Sequence, residues 1–556
     1  MRQVAIDVSA RFFPTALLFA VLGGCSLASA APKTAPAEIQ FNRDVRPILS
    51  NACFTCHGPD ANTREADQRF DTEEGLKALR ETGAIVPGKP AESDVFVRIT
   101  TADADLRMPP PGHPRQLAPV EIEILRRWIE QGAEAQPHWS LIVPQRPELP
   151  PQAERGGGHP VDRFIDAKLR AEDVAPVAAA DRSTLLRRLT LDLTGLPPTV
   201  EQLDAFLADS SEDAYERAVD RLLASPGYGE RMALYWLDLV RYADSVGYHK
   251  DTHQDVWLYR DYVISAFNTN KPYDRFVVEQ LAGDLLRGTR FEEYEWKIAS
   301  GFNRLNQTTS EGGAQAKEYL AKYAADRVRN TGAIFLGLTT GCAECHDHKF
   351  DPISTHDFYS FAAFFADIRE AGVGQPAQTP MPTIEAIAAG RKLEMELERL
   401  RQVAGQNEEI AALEAELDRA ADPKAEGAPF FPTLITVTAA PRPIRLLPRG
   451  NWLDDSGPLV LPAVPQSLGE PAGGEERATR LELANWVIAP ENPLTARVFV
   501  NRMWKLMFGE GICRTVDDVG SQGEWPSHPE LLDWLTVEFV DSGWDVKRLV
   551  RLLVTS

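Results

Sequence analysis

Apolar residues recur at helical spacing along most of this chain. In LAPVEIEILRRWIEQGAE, Val120, Ile122, Ile124, Leu125, Trp128 and Ile129 share one helical face. That stretch closes a first unit, over 38–135, which opens with the amphipathic run FNRDVRPILSNACFTCH. Further on, RSTLLRRLTLDLTGLPPT offers a Ser/Thr start and a Gly-Leu-Pro-Pro stop, and ERMALYWLDLVRYAD and RDYVISAF continue the helical pattern. Leu393, Leu397 and Leu400, then Ile410, Leu413 and Leu417, step by four and three, with a break at Ala404-Gly405-Gln406-Asn407. This predicts a helical arm over 386–418 folded as a hairpin. Each half is barely two heptads, so an antiparallel pair packed on the body is favoured over a dimerising coiled coil. Only 430–465 departs from the helical period: FFPTLITVTAAPRPIRLLPRG and GPLVLPAVP are β-branched and punctuated by proline, as in short edge strands. The fold class predicted is mainly α, with one small β element.

Breaks in the pattern divide the chain. The Pro/Gly-rich VPQRPELPPQAERGGGHP marks a linker at 141–160, because prolines and glycines at that density continue neither helix nor central strand. A large α-rich domain spans 161–370, and helices return over 477–556. At 556 residues the chain has room for several cores. It stops at LVRLLVTS within an amphipathic pattern and without a stop signal, which predicts a truncated last domain.

The first thirty residues form a separate class. Arg2, an apolar run from Phe12 to Leu22 broken by Pro14, and the small-residue stretch CSLASAAP make the three regions of a secretory signal over 1–30. LGGC, ending at Cys25, fits lipoprotein processing, whereas ASA at 28–30 fits ordinary cleavage; the sequence leaves both open. No other stretch approaches the roughly 18 apolar residues of a membrane span, so any membrane attachment would be by lipid at Cys25. A net charge of -22 without a basic cluster argues against nucleic acid as a partner.

Six cysteines are too few for a disulfide scaffold; four of them form two CxxC pairs, which leaves Cys25 and Cys513. Both pairs are followed by histidine: CFTCH at 53–57 and CAECH at 342–346. In a CxxCH motif two thiols form thioethers to a haem and the adjacent histidine ligates its iron. With 6 Cys and 10 His, chance yields about 0.001 such motifs per chain, so two require an explanation, and haem c supplies it. For the first motif, Cys53 and Cys56 attach, His57 ligates, and Met108 in DLRMPPPGH offers a second ligand, with His113 as the fallback. The second motif assigns attachment to Cys342 and Cys345 and ligation to His346, with a disulfide or a structural metal as alternatives. No opposite ligand stands out there. His348 is too close along the chain, and His249, His253 and His356 are weaker candidates.

These segments carry a resemblance. FNRDVRPILSNACFTCHGPD and RMPPPG resemble the planctomycete-type cytochrome c domain. DRFIDAKL, LTLDLTGLPPT, RYADSVGYHKD, QLAGDLL and GCAECHDHKFDPIS resemble the second cytochrome-like domain of the same proteins. LANWVIAPENPLTARVFVNRMWKLMFGEGI and WPSHPELLDWL are similar to the uncharacterised domain that usually ends them. The resemblance implies haem ligation at Cys53, Cys56, His57 and Met108, and carries the second motif to Cys342, Cys345 and His346. It also implies a planctomycete or related bacterial source, a periplasmic or cell-envelope location, and a final domain that continues further. It supplies no reaction.

Three functional classes follow. The first is an electron carrier, or the cytochrome-fused part of a periplasmic oxidoreductase, working with a redox partner protein. The second is an enzyme whose site gathers Glu311, Asp326, Arg327, Asp347, His348 and Asp351 near the second motif, where carboxylates and histidine could move protons or hold a metal. The third is an extracellular polysaccharide-binding protein that uses some of its 11 tryptophans, with the haem unit as accessory; Trp236, Trp486 and Trp534 sit in helical patterns and read as core. His528 reads as a helix-start residue. Gly-rich dinucleotide and phosphate motifs are absent, so no nucleotide cofactor is implied.

Overall fold

A computed structural model describes residues 35–36, 38–152, 158–248, 251–403, 407–469 and 477–556. The signal segment with Cys25, and His249, lie outside these residues. The described chain is mainly α, with 21 α-helices and three short antiparallel strand pairs.

The first hydrophobic core belongs to the N-terminal unit. Helix Pro119–Glu130 starts on Pro119, and Glu121 accepts a hydrogen bond from the Ala118 N–H at 2.7 Å. It buries Leu125, Trp128 and Ile129, while the predicted positions Val120, Ile122 and Ile124 are half-buried. Trp128 meets Phe41 at 5.7 Å between ring centroids. Around this pair gather Val45, Ile48, Leu49, Phe54, Phe70 and Leu79.

One second core serves everything from Trp139 to Leu553, so the stretches at 161–370 and 477–556 share it. Helix Arg182–Thr194 starts on Asp181, whose carboxylate accepts from the Thr184 N–H, rather than on the serine or threonine, and it ends at Gly195 in the left-handed region. Helices Pro226–Leu239 and Trp257–Asn268 approach closely at Gly229, where an added Cβ would lie 2.5 Å from the Ile264 carbonyl oxygen. C-terminal helices Thr495–Phe508 and Pro529–Asp541 pack on the body through Tyr273, which stacks on Phe499 at 3.8 Å between centroids. Trp236, Trp486 and Trp534 are all buried in this core, as their helical spacing predicts.

The arm is an antiparallel helix pair, Ile384–Arg401 and Asn407–Ala420, laid on helix Arg290–Ala299. Arg391 pairs with Glu295 at 2.7 Å, Arg290 with Asp418 at 3.0 Å, and Glu394 accepts from the Phe291 N–H at 3.1 Å. The β content at 430–465 is two fragments. Phe430–Thr433 pairs with Thr379–Pro382, and Ile444–Arg445 pairs with Leu459–Val460.

The two cores meet at a polar seam. Arg46 donates to Asn42 at 2.8 Å and to the Gln136 carbonyl at 2.6 Å; two residues on, His138 Nδ1 lies 2.8 Å from Ser140 Oγ. Arg497, from the C-terminal helices, donates to the carbonyls of Ser140 and Ile142, both at 3.1 Å. Burial, then the charges of Arg46 and Arg497, push the His138 imidazole down to about 3. The unfolded chain therefore binds this proton first. Stability is fully present above the ordinary value of 6.5 and falls as pH drops from there toward 3, by at most about 1.4 kcal/mol per pH unit for one group. Urea midpoints measured between pH 7.5 and 5 should drop in the wild type and flatten in His138→Gln; equal slopes in both would remove His138 as the cause.

Candidate haem-attachment sites

The first motif follows the break between two helices. Helix Arg46–Ala52 ends as the Cys53 N–H donates to the Leu49 carbonyl at 2.8 Å, and the turn Phe54–His57 begins at once. Within it Cys56 N–H and His57 N–H both donate to the Cys53 carbonyl, at 3.1 and 2.8 Å. Phe54, at 1% exposure, nails this turn into the N-terminal core. The Cys53 and Cys56 thiols are free and half-buried. Burial, and then Cys56, push the Cys53 thiol up to about 12, so it stays protonated.

The His57 ring stands edge-on to Phe70, 5.2 Å between centroids, and its Nδ1 is buried without a hydrogen-bond partner. Burial holds its imidazole below the usual value, although the Gln68 and Glu65 backbones pull the other way. Neutral imidazole is the form that ligates metal. Met108 is half-buried against the same core as Cys53, and the His113 Nδ1 lies within its own loop, 2.8 Å from the Arg115 carbonyl.

The second motif repeats the turn. Gly341–Glu344 is a single 3-10 turn in which Cys345 N–H and His346 N–H donate to the Cys342 carbonyl, at 3.2 and 3.4 Å. Fully buried Ala343 plays the anchoring part of Phe54. Both thiols are exposed and free. His346 Nδ1–H donates to the Asp347 carbonyl at 2.7 Å, which leaves Nε2 as the available lone pair. Gly450, in the left-handed region, lies against Cys345, where a Cβ would come 2.9 Å from Sγ. Each pentapeptide thus offers two unbridged thiols beside one histidine, the donor set that covalent haem requires.

The two motifs abut. Gly58, the neighbour of His57, would place a Cβ 3.0 Å from the Lys349 carbonyl oxygen, three residues past His346. Phe350 packs onto the N-terminal core. Beside this contact is a 300 Å³ groove with Pro59 and Arg69 on one wall and Asp347 and Asp357 on the other. At 3.8 Å per residue, the Cα atoms of His57 and His346 are separated by no more than about 22 Å. Ser50 Oγ, donating to the Ser521 carbonyl at 2.9 Å, and Asp351, accepting from the Ser521 N–H at 2.7 Å, bind both sides to the loop between the C-terminal helices.

Three family models match the chain. One described as Planctomycete cytochrome C covers 53–112, one described as a protein of unknown function (DUF1549) covers 160–370, and one described as a protein of unknown function (DUF1553) covers 479–556. The chain belongs to the multidomain planctomycete cytochrome c proteins. No curated protein and no solved structure matches it. In this planctomycete cytochrome c protein, the cytochrome segment contains CFTCH and Met108, and the DUF1549 segment contains CAECH.

The carboxylates and histidines proposed as an enzymatic cluster in this protein do not come together. Asp326 is held by Arg241 through two hydrogen bonds, at 2.7 and 2.8 Å. Buried Arg327 is taken by Glu370 at 2.6 and 2.8 Å and by the Asn303 carbonyl. Only Asp347, His348 and Asp351 stay near the second motif, in structural roles. Asp347 accepts from the Thr355 N–H, and the His348 Nδ1 accepts from the Asp351 N–H at 2.9 Å. Glu311 lines a different cavity together with His253. His356 is exposed, and His528 stands at the start of helix Pro529–Asp541. Among the described residues no group of three or more His, Cys, Asp or Glu could hold a metal ion. The sequence reading missed Gly58 and Gly450, whose close approaches are set by segments remote in the chain, and His138, whose environment is made by arginines from two units.

Proposed function

We propose that this planctomycete cytochrome c protein is an exported di-haem c-type cytochrome that passes electrons between its two motifs and on to a redox partner protein in the periplasm or cell envelope, as a carrier or as the cytochrome part of an oxidoreductase. The observation that carries the reading is the contact of Gly58 with Lys349, which puts two like CxxCH turns on opposite sides of one seam. Haem bound there supplies one-electron chemistry at iron. Cys53 and Cys56, and Cys342 and Cys345, would anchor it; His57 and His346 would each ligate an iron, and Met108 would offer a second ligand at the first motif. Phe54 and Ala343 fix the two turns, and the Asp347 carbonyl orients His346. Export rests on the sequence of 1–30, and among the described residues no helix is long and apolar enough to cross a membrane.

The test is to inject less than one electron per chain and follow both haems spectroscopically. Redistribution between them should be first-order and independent of protein concentration. A rate proportional to protein concentration would mean transfer between molecules and would defeat the intramolecular path. Met108 has its own readout. Its thioether favours the reduced state, so Met108→Ala should lower one reduction potential by on the order of 0.1 V and leave the other in place. Two unchanged potentials would exclude Met108 as a ligand.

A further inference from the structure

A polar cleft follows the short hairpin formed by Ser245–Val246 and Thr252–His253. Two cavities, of 150 and 590 Å³, share Val246, Gly247, Tyr248 and Gln254 as walls. The chain at 305–311 lies across from the hairpin, with Gln307 in the larger cavity and Ser310 and Glu311 in the smaller. None of these residues belongs to either CxxCH segment.

Gln254 points to an occupant. Its side chain is only 6% exposed, its backbone N–H donates to the Asp244 carbonyl at 2.9 Å, and its buried Oε1 accepts no hydrogen bond. A buried amide oxygen without a donor costs about 1–3 kcal/mol. Gln254 borders both cavities, so turning its amide toward either one would let a ligand donor relieve that cost.

The walls select the ligand's chemistry. Arg241, the arginine lining the cleft, is committed to Asp326 through two hydrogen bonds, so it offers an anion no free guanidinium. Lys322, 5.9 Å from the Tyr248 ring, donates to Glu318 at 2.5 Å. Among the described lining residues what remains is amide, hydroxyl, carboxylate and the His253 imidazole, groups that together both donate and accept. Tyr248 is 42% exposed and meets Tyr319 edge-on at 5.5 Å between centroids, which leaves an aromatic surface at the cleft.

We propose that this cleft binds a neutral polyhydroxylated ligand, a sugar ring or sugar alcohol. Tyr248 stacks on its aliphatic face, and Gln254, Gln307, Ser310 and Glu311 take its hydroxyls. This assignment does not rest on the haem reading. The test is calorimetric titration of the full, haem-loaded chain with glucose, myo-inositol, cellotetraose and xylotetraose. At least one should bind saturably, and Gln254→Leu should weaken that binding roughly tenfold or more. Ser310→Ala and Glu311→Gln, on an exposed loop, should each weaken it several-fold with unchanged circular dichroism, which keeps the test valid if Gln254→Leu misfolds. Preference for the tetrasaccharides identifies a glycan chain, and equal or better binding of glucose or inositol identifies a free small polyol. No saturable binding by any of the four, or binding that the loop variants leave unchanged, overturns the proposal.

Discussion

Arg480→Met should destabilise the helical body by about 3–5 kcal/mol, the size expected when a buried ion pair loses one partner. Arg480 is fully buried and donates to Asp284 at 2.7 and 2.8 Å and to Asp367 at 2.9 and 3.2 Å. It also reaches the Leu281 carbonyl at 3.0 Å and Thr438 Oγ1 at 3.2 Å, so one guanidinium ties the start of a C-terminal helix to three segments of the body. Burial alone would raise Asp284, but the hydrogen bonds and charge of Arg480 outweigh it and hold this carboxyl below its usual range. Its contribution is therefore present above the unfolded value of 3.8 and is lost as pH falls through the lower folded value. Without Arg480 two buried carboxylates must stay charged and unpaired or take up protons, so the variant's deficit should shrink as the medium is acidified. Urea unfolding followed by far-UV circular dichroism at pH 7 and pH 4.5 measures both effects. A loss below about 1 kcal/mol at pH 7 would show that the knot is worth no more than a surface pair. The N-terminal core is separate, so haem absorbance from the first motif should survive in the variant.

Cys342→Ala/Cys345→Ala should remove half of the covalent haem and one of two reduction waves, and leave the first motif unaltered. The reason is local: the first turn is anchored by Phe54 in its own core, and the second by buried Ala343 while its two thiols are exposed. Thermal unfolding should shift little, since surface substitutions stay within about 0.5 kcal/mol. Pyridine haemochrome absorbance per chain reads the loss directly. Full haem retained in the double variant would show that the second motif carries none.

What could be read in the sequence is what is contiguous. Both CxxCH motifs lie within five residues each, so chain connectivity alone brings thiols and histidine together, and the backbone repeats one turn at both. The helices were legible for the same reason: a face such as Leu125, Trp128 and Ile129 is set by spacing, and Pro119 and Gly195 mark ends by their own backbone preferences. Arg480 has the opposite character. Its partners lie 113 and 196 residues away, and nothing near RLELANWV announces them. Asp326 and Arg327 are neighbours in the sequence, yet tertiary packing sends one to Arg241 and the other to Glu370. The strand at Phe430–Thr433 was legible, but not its partner, because Thr379–Pro382 contains two prolines and has no alternation to betray it. The seam between the motifs was equally hidden, since Gly58 and Lys349 look unremarkable where they stand.

The most direct measurement of the central claim is the number of covalent haems per wild-type chain, by intact mass together with the pyridine haemochrome spectrum, after expression with haem-attachment machinery. Two haems per chain is the expected result. One haem, held by Cys53 and Cys56 with Cys342 and Cys345 free to alkylation, would contradict it and leave the second turn without a redox role.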